Sequence, residues 1–337
     1  MQNPLITLAL SVYNVESYLC QSLATIVNQT YKNLEILCID DCSNDKTLQI
    51  LKKFATKDSR FKIIRQPSNQ GLSASRNIAI EKAQGEYIIM LDGDDLFAHD
   101  MVEKAYSKIE ETGADLVMWD YCTFYKEEEL PRLLQTPSSL IGFDASNKVA
   151  LLQRPAFTCL KLVRTQVLRD LHVHFPDGLT KQDIPIWWHL ATSIDKIAIL
   201  PERLSYYRQS PYNTTSRKDK SVYSLAYVMD ITGEYLKNNA LYDTYKEIFQ
   251  YQRLSLLHGM YDHIKTELKS DAMRIIQERM DEDAIAYINS PRCMLSKRTK
   301  FFYKGFFRGS FLAKILYDVF IFSRHIYRRI ICQNNVK

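Results

Sequence analysis

Blocks of apolar and polar residues alternate over the first 120 positions. Apolar runs occur at Leu5–Val12, Leu34–Ile39, Phe61–Ile64, Tyr87–Leu91 and Leu116–Trp119, and each reads as a strand. Between them, Glu16–Val27, Asp45–Phe54, Ser73–Ala83 and Asp100–Glu111 carry apolar residues at helical spacing. Asn44 or Asp45 and Ser73 are candidate helix caps. Strands alternating with helices, with apolar side chains on both strand faces, predict a mostly parallel sheet covered by helices. Such sheets bind ligands beyond the C-terminal ends of their strands. The residues that follow each run are therefore the ones to inspect.

The alternation fades downstream. Lys126–Gln153 is charged and polar and predicts a loop with a short helix; Ala156–Tyr207 is mixed. Ser221–Tyr287 reads as almost wholly helical, and Phe301–Ile331 as a basic, aromatic helical tail. No internal repeat interrupts this order.

Three of the strand ends carry the chemistry. The first closes on Ser11-Val12-Tyr13-Asn14, the second on Asp40-Asp41-Cys42-Ser43, and the fourth on Asp92-Gly93-Asp94-Asp95. One sheet edge thus gathers five carboxylates, whose mutual repulsion is costly unless cations or hydrogen-bond donors fill the gap. A divalent metal carrying a diphosphate meets that need, because Mg²⁺ and Mn²⁺ take carboxylate and phosphate oxygens. An aspartate at a strand end is also an ordinary turn former or cap. That plain reading suits Asp40 or Asp41 alone better than it suits three acids in four residues.

Composition narrows the class. The 337 residues are 46% hydrophobic and 25% charged, an ordinary globular balance. Seven cysteines, Cys20, Cys38, Cys42, Cys122, Cys159, Cys293 and Cys332, are scattered without a C-x-x-C pair, so neither a disulfide framework nor a zinc site is expected, and a reducing cytosol fits. Leu5–Val12 is short and has no basic flank before it, so a signal peptide is not expected. No apolar run is long enough to predict a membrane span. The net charge of +5 is uneven: Pro291–Lys337 holds 11 Lys and Arg against the single acid Asp318, and the rest holds 33 basic and 38 acidic residues. A chain-wide nucleic-acid surface is excluded by that balance.

Neither G-x-x-x-x-G-K-[ST] nor a G-x-G-x-x-G after the first strand is present. Gly71-Leu72-Ser73-Ala74-Ser75-Arg76-Asn77 opens the third helix, either as a phosphate-facing turn with Arg76 or as a plain glycine turn before a capped helix. The order of motifs is specific. Ser11-Val12-Tyr13-Asn14, Asn28-Gln29-Thr30-Tyr31, Ile39 to Asp45, Asn69 to Asn77, Gly85-Glu86-Tyr87 and Leu91 to Asp95 resemble the family 2 inverting glycosyltransferases of the GT-A fold. The resemblance is close over about the first 120 residues. It continues more weakly through Lys161-Leu162, Gln182-Asp183 and Tyr206-Tyr207-Arg208 to about residue 215.

The resemblance implies a fold, an activity and roles. It implies a GT-A-like domain at 1–215, with 1–120 as the nucleotide-sugar half and 121–215 as the acceptor half, then a helical region at 216–290 and a basic tail at 291–337. Tyr13 would stack on the base, Asp41 would accept from it, and Asp94 would approach the ribose. Ser11, Arg76 and Asp92 join the nucleotide-binding set, and Asp95 with Asp94 would hold Mg²⁺ or Mn²⁺. Asp183 stands where the family carries its catalytic base, normally as a Glu-Asp pair; here Gln182 replaces the first acid. Gln182, Trp187, Trp188 and Arg208 are candidate acceptor or phosphate contacts, each with a core or surface alternative. His172, His174 and His189 receive no role.

The implied function is transfer of a hexosyl or N-acetylhexosaminyl group from a nucleotide sugar, UDP-linked for preference, to a glycan or lipid-linked acceptor in cell-surface polysaccharide or lipopolysaccharide synthesis. The rival is a non-catalytic nucleotide-sugar-binding or membrane scaffold protein on the same fold. In the tail, Leu312, Ile315, Leu316, Val319, Phe322, Ile326 and Ile330 share one helical face, with Lys314, Asp318, His325, Arg328 and Arg329 opposite. That pattern predicts a peripheral contact with the inner face of the cytoplasmic membrane. A helix docked on the protein by the same face is the alternative.

Overall fold

The computed structural model describes residues 3–210 and 216–307. The tail helix expected at Phe311–Ile331 lies outside the described residues. The chain divides into two compact units: residues 1–217 with 227–238, and residues 218–226 with 239–337.

The first unit is built on an eight-stranded mixed sheet. Its strands are β1 (Ile6–Val12), β2 (Leu34–Asp40), β3 (Phe61–Arg65), β4 (Tyr87–Asp92), β5 (Leu96–Phe97), β6 (Leu116–Phe124), β7 (Lys161–Arg164) and β8 (Ile197–Arg208). They lie in the order β3-β2-β1-β4-β7-β6-β8-β5. Helices α1 (Glu16–Val27), α2 (Thr47–Ala55), α3 (Leu72–Lys82) and α4 (Met101–Thr112) separate the early strands as the periodicity predicts. Every residue of β2 is buried, as expected of a strand covered on both faces. Leu19, Leu23 and Ile26 of α1, at helical spacing, form its buried stripe.

The order β3-β2-β1-β4 is wholly parallel. Its register pairs Val12 with Asp40 and Ser11 with Asp92, so three strand ends finish side by side. Beyond β4 the direction changes. The four-residue β7 runs antiparallel to both β4 and β6, and β5 runs antiparallel to β8, while β6 and β8 pair in parallel.

The second unit is helical, as Ser221–Tyr287 predicts. Tyr242–His263, Lys269–Gln277, Glu282–Asn289 and Lys297–Phe307 enclose a core of Leu254, Leu257, Met260, Tyr261, Ile276, Ala284, Tyr287 and Tyr303. Two of its buried polar side chains bridge its helices: the Tyr303 hydroxyl donates to the Leu254 carbonyl at 2.7 Å, and Arg253 pairs with Asp281 at 2.7 Å. Among the described residues no helix is long and apolar enough to cross a membrane.

Candidate active site

The acids that follow β4 gather at one turn beside the end of β1. Asp92 is the last residue of β4. A Cβ on Gly93 would lie 2.6 Å from Cγ1 of Val12, so only glycine lets the turn hug β1. The turn closes with the Asp95 amide donating to the Asp92 carbonyl at 3.3 Å. Asp95 is 1% exposed; its Oδ1 accepts from the Arg208 backbone N–H at 2.9 Å, and its Oδ2 is buried with no hydrogen-bond partner. Leaving a buried carboxylate oxygen unmatched costs free energy unless something else supplies positive charge.

Burial and crowding raise the pKa of all three acids. Asp94 is pushed up to about 6 by burial and then by the charge of Asp92. Burial, then Asp94 and Asp92, hold Asp95 well above the usual carboxylate range. Burial raises Asp92 against the opposing pull of Arg76. Buried and crowded in this way, the three acids favour their neutral forms unless opposing charge is supplied.

Arg76 crosses the pocket floor. It is 2% exposed, its Nη2 lies 3.2 Å from Asp92 Oδ1, and its Nη1 pairs with Asp183. Its guanidinium also lies 5.5 Å from the Phe175 ring centroid. Arg76 is not the surface arginine of the plain glycine-turn reading: it ties Asp92 to Asp183. Asp183 opens the helix Asp183–Ser193, where the N-terminal dipole favours a carboxylate.

The other expected residues separate into groups. Tyr13 is 41% exposed beside the pocket, and Ser11 is half-buried. Asp41 is buried and its carboxylate accepts from the Gln70 amide at 2.7 Å, the Gly71 amide at 2.8 Å and Gln66 Nε2 at 2.8 Å. It holds the loop ahead of α3. Trp187 and Trp188 are 2% and 1% exposed, because the face of their helix that carries them turns inward. Gln182 is likewise buried. Arg208 is anchored at the acidic turn. Its guanidinium donates to the Asp94 carbonyl at 2.9 Å and to Gln21 Oε1 at 3.0 Å, pairs with Glu127 at 3.4 Å, and lies against Tyr18 and Phe124.

Two residues at the pocket wall were not anticipated by their chemistry. Cys159, on the turn Thr158–Leu160, brings its thiol to Asp92 and Asp95: one ligand atom from each lies within 4.8 Å of the others. Lys161 is buried, donates to the Phe157 carbonyl at 2.7 Å, and is lowered to about 8 by burial. Lys161-Leu162 was visible as a motif; Cys159 had no signal beyond being one cysteine of seven.

The family model for glycosyl transferase family 2 matches residues 7–171. Residues 7–171 form a glycosyltransferase family 2 domain. An uncharacterised glycosyltransferase of Haemophilus influenzae is 48% identical over 104 residues, which is 31% of this chain and 42% of that protein. The chain therefore matches less than half the length of this relative. The putative teichuronic acid biosynthesis glycosyltransferase TuaG of Bacillus subtilis is 27% identical over 65% of this chain and 84% of its own. Among solved structures, residues 1–349 of TarS from S. aureus in complex with UDP superpose with a TM-score of 0.61 at 19% identity, covering 90% of this chain and 92% of that one. The mannosyltransferase PcManGT of Pyrobaculum calidifontis, in complex with GDP-Man and Mn²⁺, gives 0.51 at 14% identity, covering 85% and 83%. These likenesses establish a GT-A-like fold.

Proposed function

We propose that the protein is an inverting, metal-dependent glycosyltransferase that moves a sugar from a nucleotide sugar, UDP-linked for preference, to a glycan or lipid-linked acceptor in cell-surface polysaccharide synthesis. The observation that carries the reading is the buried, partnerless Oδ2 of Asp95 inside a cluster of carboxylates whose pKa values are all raised. Spare acceptors with no hydrogen-bond donor fit a hard divalent cation. The UDP bound to TarS, the Mn²⁺ and GDP-Man bound to PcManGT, and the teichuronic acid setting of TuaG agree with it.

In this reading Asp95 and Asp94 would hold Mg²⁺ or Mn²⁺, and Asp92 would both pair with Arg76 and face the same cation. The cation, when bound, neutralises the diphosphate as it leaves. Asp183 takes the proton of the acceptor hydroxyl as that oxygen attacks the anomeric carbon. Single displacement inverts that centre. Arg76, pinned between Asp92 and Asp183, holds the base in register with the acidic turn. Tyr13, exposed beside the strand ends, offers its ring to the base of the nucleotide. Asp41 acts through the loop it braces. The basic tail is assigned to the membrane surface. The partition into 1–215, 216–290 and 291–337 is retained as the functional division.

A panel of nucleotide sugars, assayed for release of the nucleotide with and without Mn²⁺, tests the reading. One donor should be turned over only with the metal. A folded protein that neither binds nor turns over any nucleotide sugar would overturn it.

A further inference from the structure

We propose that Cys159 is a further protein ligand of the divalent-cation site, beside Asp95 and its neighbouring aspartates, giving that site affinity for thiophilic cations such as Cd²⁺, Co²⁺ and Zn²⁺ beside Mg²⁺ and Mn²⁺. The inference rests on the metal reading above and adds a donor of a different chemical class. The ligand atoms of Asp92, Asp95 and Cys159 already lie within 4.8 Å of one another. Around one ion, with metal–sulfur bonds of about 2.3 Å and metal–oxygen bonds of about 2.1 Å, tetrahedral donors sit roughly 3.4–3.7 Å apart. Side-chain shifts of about an ångström close the difference.

Asp95 supplies the independent observation. It is 1% exposed, one oxygen is held by the Arg208 amide, and the other is buried without a partner. The thiol is positioned from behind. The Ser205 hydroxyl donates to the Cys159 carbonyl at 2.9 Å, and Lys161, lying 4.4 Å from the Trp187 ring centroid, anchors the preceding Phe157 carbonyl. Such outer contacts fix a ligand's direction. A buried cysteine ordinarily behaves as a small apolar side chain. Burial, then the charges of Asp95 and Asp92, raise the pKa of Cys159, while Arg76 and Lys161 pull the other way. On binding, the thiol proton passes to solvent as the sulfur–metal bond forms, with no change of oxidation state. Oxygen ligands alone suit Mg²⁺ and Mn²⁺, whereas a thiolate selects softer ions.

The test uses the full chain, stripped of metal. Co²⁺ is added and the near-ultraviolet thiolate charge-transfer band is recorded; Cd²⁺ and Mn²⁺ affinities are measured by calorimetry. The expected result is a band lost in both Cys159→Ser and Asp95→Asn. Cys159→Ser should weaken Cd²⁺ binding on the order of tenfold or more while Mn²⁺ binding changes little. An unchanged Co²⁺ spectrum and Cd²⁺ affinity in Cys159→Ser would overturn the thiol ligand and leave the Mn²⁺ reading standing. Absence of binding by Mn²⁺ and Cd²⁺ alike would overturn both. Cd²⁺ binding that depends on Cys159, without Mn²⁺ binding, would support the thiol ligand and overturn the Mn²⁺ assignment. If Cys159→Ser fails to fold, ¹¹³Cd resonance of the wild-type protein decides. A downfield thiolate position that moves when UDP is added supports the proposal, and an all-oxygen position refutes it.

Discussion

The two edges of the same parallel sheet treat a buried carboxylate in opposite ways. At the N-terminal edge, Glu35 of β2 accepts from Thr7 Oγ1 at 2.5 Å, Lys62 Nζ at 2.7 Å and the Gln84 amide at 2.8 Å. Burial alone would raise its pKa, but hydrogen bonds from Lys62, Thr7 and Gln84 overcome it and hold the group below the usual range. At the C-terminal edge, Asp95 has one partner and a bare oxygen, and its pKa is driven up. A satisfied carboxylate stabilises the fold by itself. An unsatisfied one, kept at 1% exposure, is held ready for something that arrives later.

The contrast breaks most sharply at Asp95. Asp95→Ala should abolish transfer and remove the metal-dependent part of UDP binding, measured by calorimetry with Mn²⁺; unchanged affinity and turnover would end the metal assignment. Asp183→Asn should lower turnover on the order of 10²–10⁴-fold with donor binding intact, as for loss of a general base. Gln182→Ala should do much less, and a steady-state comparison of the two separates base from scaffold. Glu35→Ala should act on stability instead. It strands Lys62, Thr7 and the Gln84 amide and should cost about 1–3 kcal/mol in a denaturant titration, without changing KM for the donor.

The smallest effect sharpens the comparison through pH. Asp94 is raised from 3.8 to about 6, so the folded state binds its proton more tightly than the unfolded state does. The stabilising contribution is full below about pH 4 and is lost as pH rises through about 6. Metal-free Asp94→Asn should therefore melt above the wild type by roughly a few degrees at pH 7–8, and the gap should close at about pH 4. Glu35, lowered rather than raised, contributes with the opposite sign: its stabilisation is present above the ordinary glutamate pKa and fades as pH falls.

Much of this contrast could be read along the chain, but not all. The first four strands, the helices between them and the Asp92-Gly93-Asp94-Asp95 turn were legible because apolar blocks and turn residues are local signals. The reversal at β7 was not, since Lys161–Arg164 is four residues with no periodicity to report direction. Asp183 was recognisable only through family resemblance, and its link to Asp92 through Arg76 depends on a contact between residues 107 positions apart. Trp187 and Trp188 were ambiguous because an aromatic pair looks the same in a sugar pocket and in a core; both are buried. Cys159 stood outside every spacing rule, because its neighbours at the acidic turn are distant in the chain.

The Arg208 amide that holds Asp95 sets a timetable for synthesis. It lies 113 residues beyond the carboxylate it caps, at the end of β8. At about 5–20 residues per second, the ribosome delivers it roughly 5–25 s after the acidic turn. Until then Asp95 lacks that cap, although Asp183 has already been made. The family-matched segment, ending at residue 171, also stops short of both. A newly made chain thus presents its acidic turn early yet caps it only when its last strand docks, so a truncated product from an interrupted message carries the Asp92-Gly93-Asp94-Asp95 motif without the contact that closes it.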